Sequence, residues 1–141
     1  MKHYLIDTNV VIDMLLDRPD ADAACAVIDG AEHGEYVLYL CALSYTNIFY
    51  SLRKLLTREQ RIECLSQLGA VIRTLPVDGH IINEALHSGW KDFEDAVQYY
   101  AARAFPDITG IITRNKKDFK NSTLPILDSR DFLTHGDISV R

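Results

Sequence analysis

Short apolar runs alternate with longer segments of helical period along nearly the whole chain, and this pattern narrows the possible folds most. Residues 3–6 form a brief apolar run that stops at Asp7. Residues 36–43, YVLYLCAL, are almost continuously apolar and aromatic, which suits a strand buried on both faces of a parallel sheet. Further short runs lie at 71–75, 110–113 (GIIT) and 124–127. Between them, VVIDMLL after Asp7 and the segments 20–33, 44–56, 58–70, 78–88 and 92–105 carry apolar residues at helical spacing. Pro19, Gly34, Gly89 and Pro106 close several of these, and 129–133 reads as a final helical turn. Strands regularly followed by helices predict a three-layer α/β/α sandwich with a four- or five-stranded, mainly parallel sheet and right-handed crossovers.

With 141 residues, no internal repeat and no linker-like tract, the chain reads as one domain over 1–134 with a flexible tail over 135–141. The net charge of -5 argues against a protein that coats nucleic acid through bulk electrostatics. It leaves open an enzyme whose acidic residues hold a cation. Cys25, Cys41 and Cys64 are odd in number and far apart, which points to reduced thiols in the cytoplasm rather than a disulfide framework or a zinc knuckle. No apolar stretch approaches the roughly 18 residues needed to span a bilayer, so no membrane is expected.

In an open parallel sheet, ligands bind beyond the carboxyl ends of the strands, so the polar residues that follow strands are the candidates for chemistry. Asp7, Thr8 and Asn9 follow the first strand; Ser44, Tyr45, Thr46 and Asn47 follow the second. Arg114, Asn115, Lys116, Lys117 and Asp118 follow GIIT, and Glu94 and Asp95 open a helix. Two carboxylates about 4 Å apart repel by ~4 kcal/mol at an effective dielectric near 20. The repulsion is relieved by a proton, by separation or by a cation, and hard oxygen donors favour Mg²⁺ or Mn²⁺ over zinc. Residues 103–120 contain five basic and two acidic residues, a local excess of positive charge beside these acids.

The segments LIDTNVVIDMLL, LSYTNIFYSLRK, DFEDAVQYYAAR and IITRNKKDF, in this order, resemble the PIN-domain ribonucleases, including the VapC-type toxins of bacterial toxin–antitoxin pairs. The resemblance implies a metal-dependent endoribonuclease that cleaves RNA with a metal-activated water. Asp7 and Asp95 would hold Mg²⁺ or Mn²⁺, with Asp118 or Asn115 completing the shell. Thr8, Asn9 and Glu94 would support these ligands, and Arg114, Lys116 and Lys117 would meet RNA. The family's second acidic position, usually Glu, falls on Asn47, which would position water. The resemblance also implies a homodimer and a protein antitoxin as partner.

Each residue also has a plainer reading. Asp7 and Asp92 suit helix caps, Asp13 and Asp17 a solvated helix face, and Asn115 and Asp118 a turn. Asn47 in place of Glu also suits a non-catalytic PIN-like module that binds RNA or protein. A dehalogenase-type phosphatase, which places D-x-D here, is disfavoured by Asn9. A receiver domain is disfavoured because no acidic pair follows the first strand.

Overall fold

The computed structural model describes residues 1–136. From residue 137 on, the expected tail lies outside the described residues; residues 135–136 belong to the final helical turn.

β1 (His3–Ile6) leads into α1 (Thr8–Leu15) and α2 (Ala21–Glu32). β2 (Val37–Cys41) is followed by α3 (Ala42–Ser51) and α4 (Arg58–Val71). β3 (Arg73–Leu75), α5 (Gly79–Leu86), α6 (Phe93–Arg103) and β4 (Ile108–Ile112) come next. A 3₁₀ turn (Lys116–Phe119), β5 (Ile126–Leu127), α7 (Ser129–Asp131) and a π-helical turn (Phe132–Gly136) complete the described chain. The strand order is β3-β2-β1-β4-β5, and every pairing is parallel. The three-layer α/β/α sandwich is therefore as expected, with five strands.

Alternation along the strands builds the layers. Tyr4, Ile6, Leu38 and Leu40 face a core shared with Val11, Val27, Ile48 and Leu68 from the first four helices. Leu5, Tyr39, Cys41 and Ile111 face the other core, shared with Ile81, Ala85, Val97 and Ala101 from α5 and α6. β1 lies at the centre because its residues are buried on both sides. Phe132 packs edge-on against Tyr4 and Tyr36, each at 4.8 Å between ring centroids, and ties the end of the described chain to the first core.

The element boundaries differ from the sequence reading mainly at α3. The apolar run 36–43 is not all strand: β2 stops at Cys41, and Ala42 and Leu43 already belong to the helix. The run stays apolar because the first turn of α3 also packs, so hydropathy alone shows no break. Among the described residues no helix is long and apolar enough to cross a membrane.

Candidate active site

The strand order reverses at β1: the chain moves outward through β2 and β3, then returns to place β4 on the other side. Such a reversal leaves a crevice beyond the carboxyl ends of the two central strands. Asp7 occupies it. Its backbone N–H donates to the Ile112 carbonyl at 2.8 Å, joining the end of β1 to the end of β4. The side chain is 2% exposed. Gln98 Nε2 donates to Asp7 Oδ1 at 3.0 Å, and Thr113 Oγ1 donates to Oδ2 at 2.8 Å. Asp7 holds the N-cap position of α1. The Asn9 N–H lies close enough to favour its charge without completing a capping hydrogen bond.

Gln98 is fixed at both ends of its amide. Its Oε1 accepts from the Thr8 backbone N–H at 3.1 Å and from Thr8 Oγ1 at 3.2 Å. Thr8 Oγ1 also meets Ser44 Oγ at 2.5 Å. Because Thr8 donates to Gln98, the Ser44 hydroxyl is left to donate to Thr8. A continuous buried chain of hydrogen bonds thus links α3, α1, α6 and the end of β4.

Asp92 caps α6 by accepting the Asp95 N–H at 2.9 Å. This sets the first turn of the helix, and Asp95 and Gln98, three residues apart, share one face. Asp95 is 6% exposed. Its carboxyl is pushed up to about 8, first by burial and then by the charges of Asp7, Asp92, Asp118 and Glu94. Burial also pushes the Asp7 carboxyl up, against the hydrogen bonds from Gln98, Thr113 and the Asn9 backbone and the charge of Arg114. Among the described residues no donor reaches the Asp95 carboxylate. The two aspartates, 88 positions apart in the chain, are both buried and lie near enough for the Asp7 charge to act on Asp95.

The donor set suits a hard cation. Among the described residues no three His, Cys, Asp or Glu side chains form a ready ligand group. Mg²⁺ commonly keeps several waters and takes only one or two carboxylates, so Asp7 and Asp95 fit such an ion while a zinc-type cage is lacking.

The other expected residues are distributed around this pair. Asn47 Nδ2 donates to Glu94 Oε1 at 2.9 Å, and both line a cavity of about 250 Å³ with Ser44, Phe93 and Gln98. Burial and Asp92 raise the Glu94 carboxyl, the Asn47 hydrogen bond lowers it, and Asp7 raises it further. Asn115 is exposed at the head of the 3₁₀ turn, and its N–H donates to Thr113 Oγ1 at 3.2 Å. Asp118 is exposed in that turn, near enough for its charge to act on Asp95. The Asn9 side chain is exposed on α1. Arg114 Nε pairs with Asp13 at 2.7 Å, Lys116 Nζ pairs with Asp131 at 2.5 Å, and Lys117 has no side-chain partner among the described residues.

Asp13 departs from its solvated-face reading. It is 7% exposed and sits between Arg18 and Arg114, because this face of α1 turns toward the loop after β4. Gln98 and Thr113 are the contributors that sequence reasoning missed as site residues, whereas Ser44 is among the polar residues expected after the second strand. The available signals were the position of Gln98 one turn after Asp95 and that of Thr113 at the end of an apolar strand.

A parallel α/β/α sandwich with an acidic pair at its switch point defines the structural class. A family model described as the PIN domain matches residues 3–117, and the chain belongs to the PIN-domain family. No curated protein matches it significantly. Among solved structures, VapBC2 from Rickettsia felis, bound to a promoter DNA fragment, superposes with a TM-score of 0.67 at 17% identity, covering 89% of this chain and 98% of that one. VapBC-1 from nontypeable Haemophilus influenzae gives 0.67 at 20% identity, covering 91% and 98%. VapC20 from Mycobacterium tuberculosis, described as a sarcin–ricin loop cleaving toxin, gives 0.57 at 12% identity, covering 77% and 86%. At these identities the likeness is one of fold.

Proposed function

We propose that this protein is a magnesium- or manganese-dependent endoribonuclease and the toxin of a toxin–antitoxin pair. The observation that carries the reading is that Asp7, at the switch point of a PIN-domain sheet, and Asp95 are both buried and lie near enough for the charge of one to act on the other. Asp7 and Asp95 would hold the ion, with Asp118 or Asn115 contributing through water. Bound there, the ion would offset the carboxylate charge, activate water and polarise a phosphodiester. Gln98 and Thr113 hold both oxygens of Asp7 in one orientation. Asn47 positions water beside Glu94, and Thr8 and Asn9 support the turn that carries Asp7. Lys117 offers a free ammonium to RNA. Arg114 and Lys116 contribute positive potential from their ion pairs. The solved toxin–antitoxin complexes of like fold support a protein antitoxin as partner, and the same family membership supports a homodimer.

The test is cleavage of an RNA pool by the purified protein with Mg²⁺ or Mn²⁺. Asp7→Asn and Asp95→Asn should each reduce cleavage by at least about 100-fold, the upper end of what even outer-shell partners of a metal contribute. Equal cleavage by both variants and the wild type sinks the reading. The engagement of Asn47 with Glu94, where the family usually has a carboxylate, favours a second reading: a PIN-like module that binds RNA without cutting it. Retained binding with no cleavage under any divalent ion selects that alternative.

A further inference from the structure

A second concavity opens beside the acidic centre. The connection between α5 and α6 forms one wall and the 3₁₀ turn with the residues after it forms the other. Together they enclose about 430 Å³ lined by Trp90, Lys91, Lys117, Asp118, Lys120 and Asn121. Asp118 joins the two regions, since its charge acts on Asp95.

The three lysines have no carboxylate partner among the described residues. In the same loop, Arg114 is held by Asp13 and Lys116 by Asp131, so among the described residues the groove lysines are the loop's free cations together with Lys91 from the opposite wall. Three lysines against one aspartate leave the groove with a net positive charge, which an anion offsets.

The walls are set by packing. Phe119 is 1% exposed and anchors the 3₁₀ turn. Trp90 stacks on Tyr99 at 4.8 Å between centroids and meets Phe119 edge-on at 5.7 Å, so one indole braces both walls. Ser88 Oγ accepts the Trp90 N–H at 3.1 Å and donates to the Ala85 carbonyl at 2.8 Å. Gly89, at φ +76°, makes the turn between them, a conformation that side-chain-bearing residues rarely adopt.

We infer that this groove binds the phosphate backbone of single-stranded RNA adjoining the bond to be cut, with Lys91, Lys117 and Lys120 on phosphates and Trp90 beside an unpaired base. The inference rests on the proposed nuclease function. A groove lined by separate flexible ammonium groups, rather than by amides aimed at one point, suits a run of phosphates. An aromatic edge beside them suits a strand whose bases are free to stack.

The test measures binding of a dye-labelled single-stranded RNA oligonucleotide in chelator, in an Asp7→Asn background where nothing is cut. Adding Lys91→Ala and Lys120→Ala should weaken binding by about 10-fold or more and flatten the salt dependence by about 1.4 in log–log slope. A charge-matched control, Lys54→Ala with Arg58→Ala at exposed positions on another face, should stay within about 2-fold. Trp90 is the chain's single tryptophan, so its emission reports the groove directly and should change as RNA saturates. Equal losses in the two double variants, or unchanged Trp90 emission at saturation, overturn the groove. The nuclease reading survives that result if the wild type cuts RNA and Asp7→Asn does not. Tighter binding of single-stranded DNA of the same sequence overturns the assignment to RNA. A parent protein that neither binds nor cuts RNA overturns both.

Discussion

Gln98 has every polar atom of its amide committed within a buried network, with Nε2 on Asp7 and Oε1 on Thr8. Replacing it by alanine leaves a buried carboxylate oxygen and a buried N–H without partners, at about 1–3 kcal/mol for an unmet group. Gln98→Ala should therefore lower stability to urea by that order and reduce cleavage by about 10–100-fold through loss of Asp7 orientation. Full activity in a destabilised variant would show that Asp7 needs no such support. Asp95 gives a prediction with a definite sign. Its folded carboxyl titrates near 8 against an ordinary value of 3.8, so the folded state holds the proton more tightly than the unfolded chain. That stabilising contribution is complete below about pH 4 and is lost as pH rises through about 8. Without divalent ions, Asp95→Asn should exceed the wild type in Tm by about 5 °C or more at pH 8, the gap narrowing toward pH 4. Parallel pH profiles for the two proteins would contradict the burial and charge repulsion that raise the Asp95 carboxyl.

Elements differ in how far the chain announces them. β1, β2 and β4 were visible as apolar runs because parallel central strands are buried on both faces and show no polar break. The same property hid the start of α3, where Ala42 and Leu43 continue the apolar run into a packed first turn. Asp7 stood out because it ends an apolar strand, and Asp95 because it lies in the first turn of a helix where the resemblance to the PIN domain falls. Gln98 and Thr113 did not, since a glutamine within a helix and a threonine ending a strand are ordinary in those places. Their partner, Asp7, lies 91 and 106 positions away, and only the folded sheet supplies it. Asp13 was misread for a similar reason: both its arginines become neighbours only when α1 packs near the loop after β4. At this scale Gly110 in β4 is a point of close approach. A Cβ there would meet the Tyr4 ring at 3.1 Å and the Pro125 carbonyl at 3.4 Å. Tyr4 cannot retreat easily, being held edge-on by Tyr36 and Phe132. Gly110→Val should cost about 1–3 kcal/mol in equilibrium unfolding through overpacking. A variant as stable as the wild type would mean that the β4–β5 edge yields freely.

For the whole molecule, the pair of repelling acids makes stability depend on what occupies the site. A ligand that binds only the folded state stabilises it by about 2.7 kcal/mol at 100 times its dissociation constant. Mn²⁺ or Mg²⁺ should raise the wild-type Tm at pH 8 and leave Asp7→Asn and Asp95→Asn nearly unmoved. A wild-type Tm indifferent to both ions would remove the cation from the account. The hydrogen bonds to Asp7 have a further bearing on how the protein is made. Asp7 is translated 91 residues before Gln98 and 106 before Thr113. A nascent fragment that stops short of Gln98 therefore carries the carboxylate without either group that orients it, and the Asp7 network cannot form until both have been added.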